Sequence, residues 1–282
     1  MKVVLAGAYG HLGHQVLTSL IDQGHEVVAA DKSLAEVEDY EGRYLKKKID
    51  VTDLSSLEGL CDGAEVVIST VGLVRRSKDY TPYDIDYWGN VNLLQIASLA
   101  GVKQFIYISV IDACSLPEVP LVDAKYKFEQ ALKKSSLNYV IHRPTGYFYD
   151  IAKVFMPMID EGKVSLLGRR PRYCNVVDTG DFAAFIVDHM MDHNMTYQIG
   201  GRETYSYDEL ALIFGQAAHK TVTITHMRPA VFDILIRFAK LRRNGSESVL
   251  RFSKWTLMND LIGDTIVGDR SFKEYIYDIY RE

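Results

Sequence analysis

The chain has 282 residues, 48% hydrophobic and 24% charged, with 32 Lys and Arg against 37 Asp and Glu for a formal net charge of −5. Length and apolar share exclude a disordered polymer and allow two modest domains or one large one, while the acidic balance excludes a general nucleic-acid binder, which carries a basic surplus. Cys61, Cys114 and Cys174 are odd in number and far apart, fitting neither a disulfide framework nor a zinc site, so a reducing cytoplasm is the expected compartment.

Met1-Lys2 runs directly into Val3-Val4-Leu5 without the three-part pattern of a secretory signal, and no apolar run approaches the ~20 residues that span a bilayer. The first two thirds alternate short β-branched runs with longer helical patterns, which is how a parallel sheet covered by helices is written in sequence. Strands are predicted over 2–6, 26–30, 44–49, 65–70, 104–109 and 139–143, and helices over 11–23, 53–61, 83–100 and 122–135. The helix from Tyr83 shows the period best, since Val91, Leu94, Ile96 with Ala97, and Leu99 return to one side before Gly101 ends it. After Pro144 the rhythm loosens at Met156-Pro157, at Gly162 and between Gly168 and Pro171, with short strands predicted over 165–167, 173–177 and 196–199 and a helix over 181–191.

The first strand ends in Gly7-Ala8-Tyr9-Gly10-His11-Leu12-Gly13, and an amphipathic helix follows at once. Between a strand and a helix, this spacing suits a pyrophosphate. Gly7 permits the tight turn, Gly10 lets the backbone approach the phosphates and Gly13 lets the helix pack closely on the strand, while the helix N-terminus offers N–H groups. Asp31, about 20 residues further on at the end of the second strand, is placed to accept the adenine ribose hydroxyls and repel a 2′-phosphate, so NAD(H) is expected over NADP(H). The adjacent Lys32 and Ser33 could instead hold a phosphate if Asp31 turned away. The expected fold is therefore α/β, a Rossmann-type doubly wound parallel sheet. Its dinucleotide-binding domain covers residues 1–144, and a smaller C-terminal substrate or lid region, interleaved with it, covers 145–282.

The Gly-x-x-Gly-x-x-Gly spacing, with Asp50-Val51-Thr52-Asp53, Ser69-Thr70-Val71-Gly72, Tyr87 to Leu94 and Ala100 to Ser109, resembles the extended and atypical branches of the short-chain dehydrogenase/reductase superfamily. Ala124 to Glu129, Arg143 to Phe148 and Ile199-Gly200-Gly201 are similar to the NmrA-like group within it, above all to divinyl chlorophyllide 8-vinyl reductases. The resemblance implies that Asp50, Val51 and Asp53 lie beside the adenine and that the backbone of Thr70, Val71 and Gly72 passes the cofactor. It also implies that Ser109 and Lys125 occupy the serine and lysine positions of catalysis. The vinyl reductases generally use NADPH and are basic where this chain has Asp31.

The same family places a tyrosine four residues before the lysine, to pass a proton while hydride moves. Here that position is Leu121, and Tyr126, next to Lys125, points about 100° away on the helix. Ligands of open parallel sheets bind beyond the carboxyl ends of the strands, so Gly72, Ser109 and Thr145 should converge there, and Pro144 with Thr145 is expected to contact the cofactor. Tyr147, Phe148 and Tyr149 are expected to form one substrate wall and Ile111 with Asp112 another. No metal site is expected, because His189 and His193 lack a third ligand set.

Three readings compete. One is an NAD(P)-dependent reductase of a hydrophobic or conjugated small molecule, lacking the usual tyrosine; the second is a non-catalytic NAD(P)-binding sensor or scaffold; the third is a membrane-surface or complex-assembly module that keeps the cofactor for stability. Residues 229–243 mix Val231, Phe232, Ile234, Leu235, Phe238 and Leu241 with Arg237, Lys240, Arg242 and Arg243. Such a segment can lie on an anionic membrane, close over a substrate, or pack on its own core. The oligomeric state is left open.

Overall fold

The computed structural model describes residues 1–35, 40, 42–73 and 75–281. In chain order these form β1 (Lys2–Ala6), α1 (His11–Asp22), β2 (Glu26–Asp31), β3 (Leu45–Lys48), β4 (Val66–Ser69), α2 (Asn90–Leu99), β5 (Gln104–Ile108), α3 (Pro120–Lys133) and β6 (Asn138–Pro144). They continue with α4 (Phe148–Asp160), β7 (Lys163–Leu167), β8 (Tyr173–Cys174), α5 (Thr179–Asp188), β9 (Met195–Gly200), β10 (Tyr205–Ser206) and α6 (Tyr207–Ala217). β11 (Thr223–Met227), α7 (Pro229–Arg242), α8 (Ser246–Met258), β12 (Thr265–Ile266) and α9 (Phe272–Ile279) complete the order.

Eight strands make one parallel sheet in the order β12-β9-β6-β5-β4-β1-β2-β3. β1, β4 and β5 are buried along almost their whole length, which is why they read as unbroken apolar runs. Val3 and Leu5 face the layer of α1 and α5, whereas Val4 and Ala6 face that of α2 and α3. The edge strand β3 is Leu45-Lys46-Lys47-Lys48, and its lysines discourage further pairing. The chain runs outward from β1 through β2 to β3, then returns to β4 on the other side of β1, so the strand order reverses between β1 and β4.

Residues beyond 144 are shared between two bodies. β9, β12 and α5 join the main sheet and its α1 face, while α4, α6, α9 and β7 build a separate core around Phe148, Phe155, Phe214 and Phe272. Two predicted elements differ in kind, and one helix is unpredicted. Residues 53–61 hold a 3-10 turn at Leu54–Leu57 instead of a helix, because Gly59 and Gly63 adopt left-handed φ angles of 64° and 68°. The predicted helix 83–100 begins with a π-helical segment, Tyr83–Gly89, before α2. The loosened stretch after Pro144 contains α4, a helix that runs through Pro157.

Candidate functional site

At the β1/β4 switch point Gly7 has φ of 82° and donates its N–H to the Ala30 carbonyl at 2.8 Å. A Cβ at Gly7 would lie 2.6 Å from Thr70 Oγ1, and one at Gly13 would lie 2.0 Å from the Gly7 carbonyl oxygen. Both glycines are demanded by the protein's own backbone. Gly10 differs, because its φ of −70° suits any residue and its Cβ would meet the Gly7 oxygen at an ordinary 3.4 Å. Room over Gly10 is therefore left for something other than protein, in front of the first-turn N–H groups of His11, Leu12 and Gly13. The Leu12 side chain is buried in the core, and Thr70 holds the turn by donating to the Ala6 and Gly7 carbonyls at 3.2 and 3.0 Å.

Asp31 closes one side, accepting from Tyr9 N–H at 3.1 Å and Lys32 N–H at 2.7 Å, and its carboxylate remains partly exposed. The Lys32 ammonium turns to Asp50 Oδ2 at 2.8 Å and to the Tyr80 hydroxyl at 3.2 Å. Burial acts to raise the Asp50 carboxyl, but hydrogen bonds from Lys32 and Thr52 outweigh it and bring the group down to about 2. Val51 is buried, with its carbonyl accepting from Asn92 at 2.9 Å. Asp53 caps the following 3-10 turn through Ser55 N–H at 3.0 Å, a local structural task.

On the other side of the switch point, Lys125 is almost buried, with its ammonium 3.0 Å from the Ile108 carbonyl and 3.2 Å from Asp86 Oδ1. Asp86 comes from the π-helical segment and is completely buried. Burial pushes its carboxyl up and Lys125 opposes that push. A Cβ at Gly72 would stand 2.8 Å from Asp86 Oδ1 and 3.2 Å from Lys125 Nζ, so glycine there is what lets the pair form beside β4. Ser109 donates to Glu129 Oε1 at 2.5 Å, and the same buried carboxylate receives Arg143 through Nε at 2.9 Å. The Ser109 proton is thus directed into the protein. Asp86, Glu129 and Arg143 carry no local sequence signal for these roles, since their partners lie 14 to 39 positions away in the chain.

The substrate walls expected from sequence are distributed differently. Ile111 and Phe148 belong to the C-terminal core, with Phe148 edge-on to Phe272 at 5.0 Å between ring centroids. Tyr147 packs toward Phe182 on the α1 face, and burial pushes its phenol far up. Asp112 is exposed with φ of 51°. Tyr149 stacks on His11 with ring centroids 3.9 Å apart, which puts it at the glycine turn. His11 Nε2 lies 3.0 Å from Thr179 Oγ1, and burial lowers the imidazole's pKa. Pro144 ends β6 with its carbonyl accepting from Ile111, and Thr145 donates its hydroxyl to the Asn175 carbonyl at 2.9 Å.

The space that sequence reasoning did not find is a pocket of about 360 Å³ beginning at Leu73, one residue past Gly72. Tyr80, Tyr83, Leu121 and Phe252 supply apolar walls, and Ala239 and Arg243 of the α7 region also line it. Tyr83 donates to the buried Asp123 at 2.8 Å, and burial together with that carboxylate raises its phenol to about 12. Among the described residues no cluster of His, Cys, Asp and Glu could hold a metal ion, and no helix is long and apolar enough to cross a membrane.

Comparison with known proteins adds to this geometry. The chain is 27% identical over 264 residues to the photosystem II assembly factor Ycf39 of Synechocystis sp., covering 91% of this chain and 76% of that one. It is 28% identical over 220 residues to the chloroplastic divinyl chlorophyllide a 8-vinyl-reductase of Arabidopsis thaliana, covering 71% and 52%. Its fold is similar to that of an NADPH-dependent quinone oxidoreductase from Escherichia coli solved with NADPH, with a TM-score of 0.79 at 19% identity over 99% of both chains. A triphenylmethane reductase from Citrobacter sp. gives 0.75 at 16% identity over 100% of both. The family model described as NmrA-like matches residues 1–258.

Proposed function

The chain belongs to the NmrA-like family, and on that premise we propose that it binds a nicotinamide dinucleotide across the Gly7–Gly13 turn and reduces an apolar, conjugated small molecule. Two observations support this reading: the room over Gly10 at the glycine turn, and a pocket whose lining begins at Leu73, the residue after Gly72, where a Cβ would stand 3.2 Å from Lys125 Nζ.

The residues present fit the nucleotide. The first-turn N–H groups of α1 suit its pyrophosphate, and Asp31 keeps lone pairs for the ribose hydroxyls. Lys32, drawn off by Asp50 and Tyr80, is turned away from a 2′-phosphate, which supports NAD(H) over NADP(H). The similar quinone oxidoreductase is NADPH-dependent, so this preference is where the chain departs from it. When bound, the dihydronicotinamide supplies a hydride. Lys125 has three N–H donors, of which the Ile108 carbonyl and Asp86 take two, and the third serves a ribose hydroxyl. Leu121 carries no proton and Ser109 gives its own to Glu129, so reduction of a conjugated C=C bond, with water supplying the proton afterwards, suits this site better than carbonyl reduction. The test follows NADH and NADPH absorbance over quinones, enones, triphenylmethane dyes and tetrapyrroles. Turnover with one class, abolished by Lys125→Ala, is expected; nucleotide binding without turnover on any of them would refute the reductase reading.

A second reading draws on the assembly factor that is similar over 91% of this chain. The nucleotide-bound core would then serve as a docking module, and nucleotide-dependent binding of a partner protein without turnover is its signature.

A further inference from the structure

We propose that α7 seats this protein on an anionic lipid surface. In a helix that joins a globular core the apolar stripe faces inward. In α7 it faces out: Val231, Ile234, Leu235, Phe238 and Leu241 are 39%, 53%, 44%, 61% and 78% exposed, whereas Ile236 and Ala239 are buried. At ~100° per residue the exposed five fall within one arc of about 120°. Packing on its own core uses only the face of Ile236 and Ala239, and the apolar arc of five side chains is left in solvent.

Charge selects the occupant. Residues 228–243 carry Arg228, Arg237, Lys240, Arg242 and Arg243 against Asp233, a local net charge of +4 on a chain whose total is −5. Asp233 is itself neutralised by Lys254 at 2.5 Å. Arg242 projects within the apolar arc and Arg237 borders it, the arrangement in which apolar groups enter an interface while cations meet phosphates. A second copy of the chain is a poorer occupant, since two such stripes face to face would bring two +4 segments together. An anionic bilayer offers both apolar depth and the complementary charge. Ala239 and Arg243 line the pocket from its inner side, so the helix that meets lipid also roofs the proposed substrate space.

The experiment is flotation of the full chain with phosphatidylcholine vesicles, and with vesicles in which phosphatidylglycerol replaces part of the phosphatidylcholine. The chain is expected to float with the anionic vesicles at low salt, to float far less with neutral ones, and to be released as salt rises. Arg237→Gln and Arg242→Gln should each weaken binding about fivefold. Phe238→Ser with Leu241→Ser should abolish it, with thermal melting and nucleotide binding unchanged because these side chains lie in solvent outside the nucleotide site. A Phe238→Trp variant should shift its fluorescence to the blue on anionic vesicles. Protein that stays in the soluble fraction at low salt would overturn the proposal. So would binding indifferent to these substitutions, or a dimer dispersed by the Phe238 and Leu241 changes. None of these outcomes depends on reductase turnover, so the two proposals fail separately.

Discussion

The two halves of the candidate site are built by opposite means. The half proposed for the adenine end, the adenine half, is made of backbone: a left-handed Gly7, a Gly13 pressed on the Gly7 oxygen, and the N-terminus of α1. The half proposed for the nicotinamide, the charge half, is made of buried charge, with Lys125 on Asp86 and Ser109 and Arg143 on Glu129. A backbone site tolerates most side-chain changes and fails on added atoms, whereas a charge site fails when one partner is removed.

Substitution in the charge half should have the largest effect. Asp86→Ala leaves the Lys125 ammonium buried without its counter-ion and should cost about 3–5 kcal/mol of stability, a fall in melting temperature on the order of 10 °C for a chain of this size. Adding Lys125→Met to Asp86→Ala should recover part of that loss. A double variant no more stable than Asp86→Ala would show that the two groups are not coupled.

Acid contrasts the adenine half with the opposite face of the sheet. His142, on β6, points away from the Arg143–Glu129 side and is completely buried against Phe182, Phe185 and Tyr197, and burial lowers its imidazole from 6.5 to about 3. The unfolded chain takes up that proton below pH 6.5 while the folded chain does not, so stability should be lost as pH falls from 6.5 toward 3, at up to about 1.4 kcal/mol per pH unit. In the adenine half the folded Asp50 carboxyl sits at about 2 against an ordinary 3.8, so its contribution is present above 3.8 and lost only between those values. Chemical denaturation across this range, repeated with His142→Phe, should remove most of the slope between pH 6.5 and 4, leaving the smaller share of His11 and His25, whose imidazoles burial also lowers, and the more acid slope. An unchanged slope would place the titrating group elsewhere.

The smallest effect on the fold, and the sharpest on the ligand, is expected at Asp31. Asp31→Ala removes one hydrogen bond to the glycine turn and should cost about 1 kcal/mol, while moving the NADPH-to-NADH affinity ratio upward by at least about tenfold. An unmoved ratio in calorimetric titrations would remove Asp31 from the ribose.

This contrast also explains what could be read from sequence. Gly7 and Gly13 are legible because the protein's own backbone leaves no room for a side chain there, Gly10 and Asp31 because they stand at the fixed spacing of a dinucleotide turn, and β1, β4 and β5 because burial on both faces makes their sequences almost entirely apolar. Lys125 and Ser109 were recognisable as positions, but Asp86 and Glu129 were not, since their partners arrive from other elements. The π-helical segment that carries Asp86 runs without a break into α2, so the two read as one helix in sequence. Tyr147, Phe148 and Tyr149, adjacent in sequence, point to three different surroundings, because the chain turns from β6 into α4 there. The pocket eluded sequence reasoning for a related reason: its walls come from segments around residues 73–83, 120–121 and 239–252.

The central claim, that a nicotinamide dinucleotide lies over the glycine turn, is tested most directly by calorimetric titration of NADH and NADPH into the parent and into Gly10→Ala. A methyl at residue 10 meets protein no nearer than 3.4 Å, so the variant should melt with the parent. It should bind the nucleotide more than about tenfold more weakly, because the added carbon stands where the pyrophosphate approaches. A parent that binds neither nucleotide, or a Gly10→Ala variant that binds as tightly as the parent, would contradict the account.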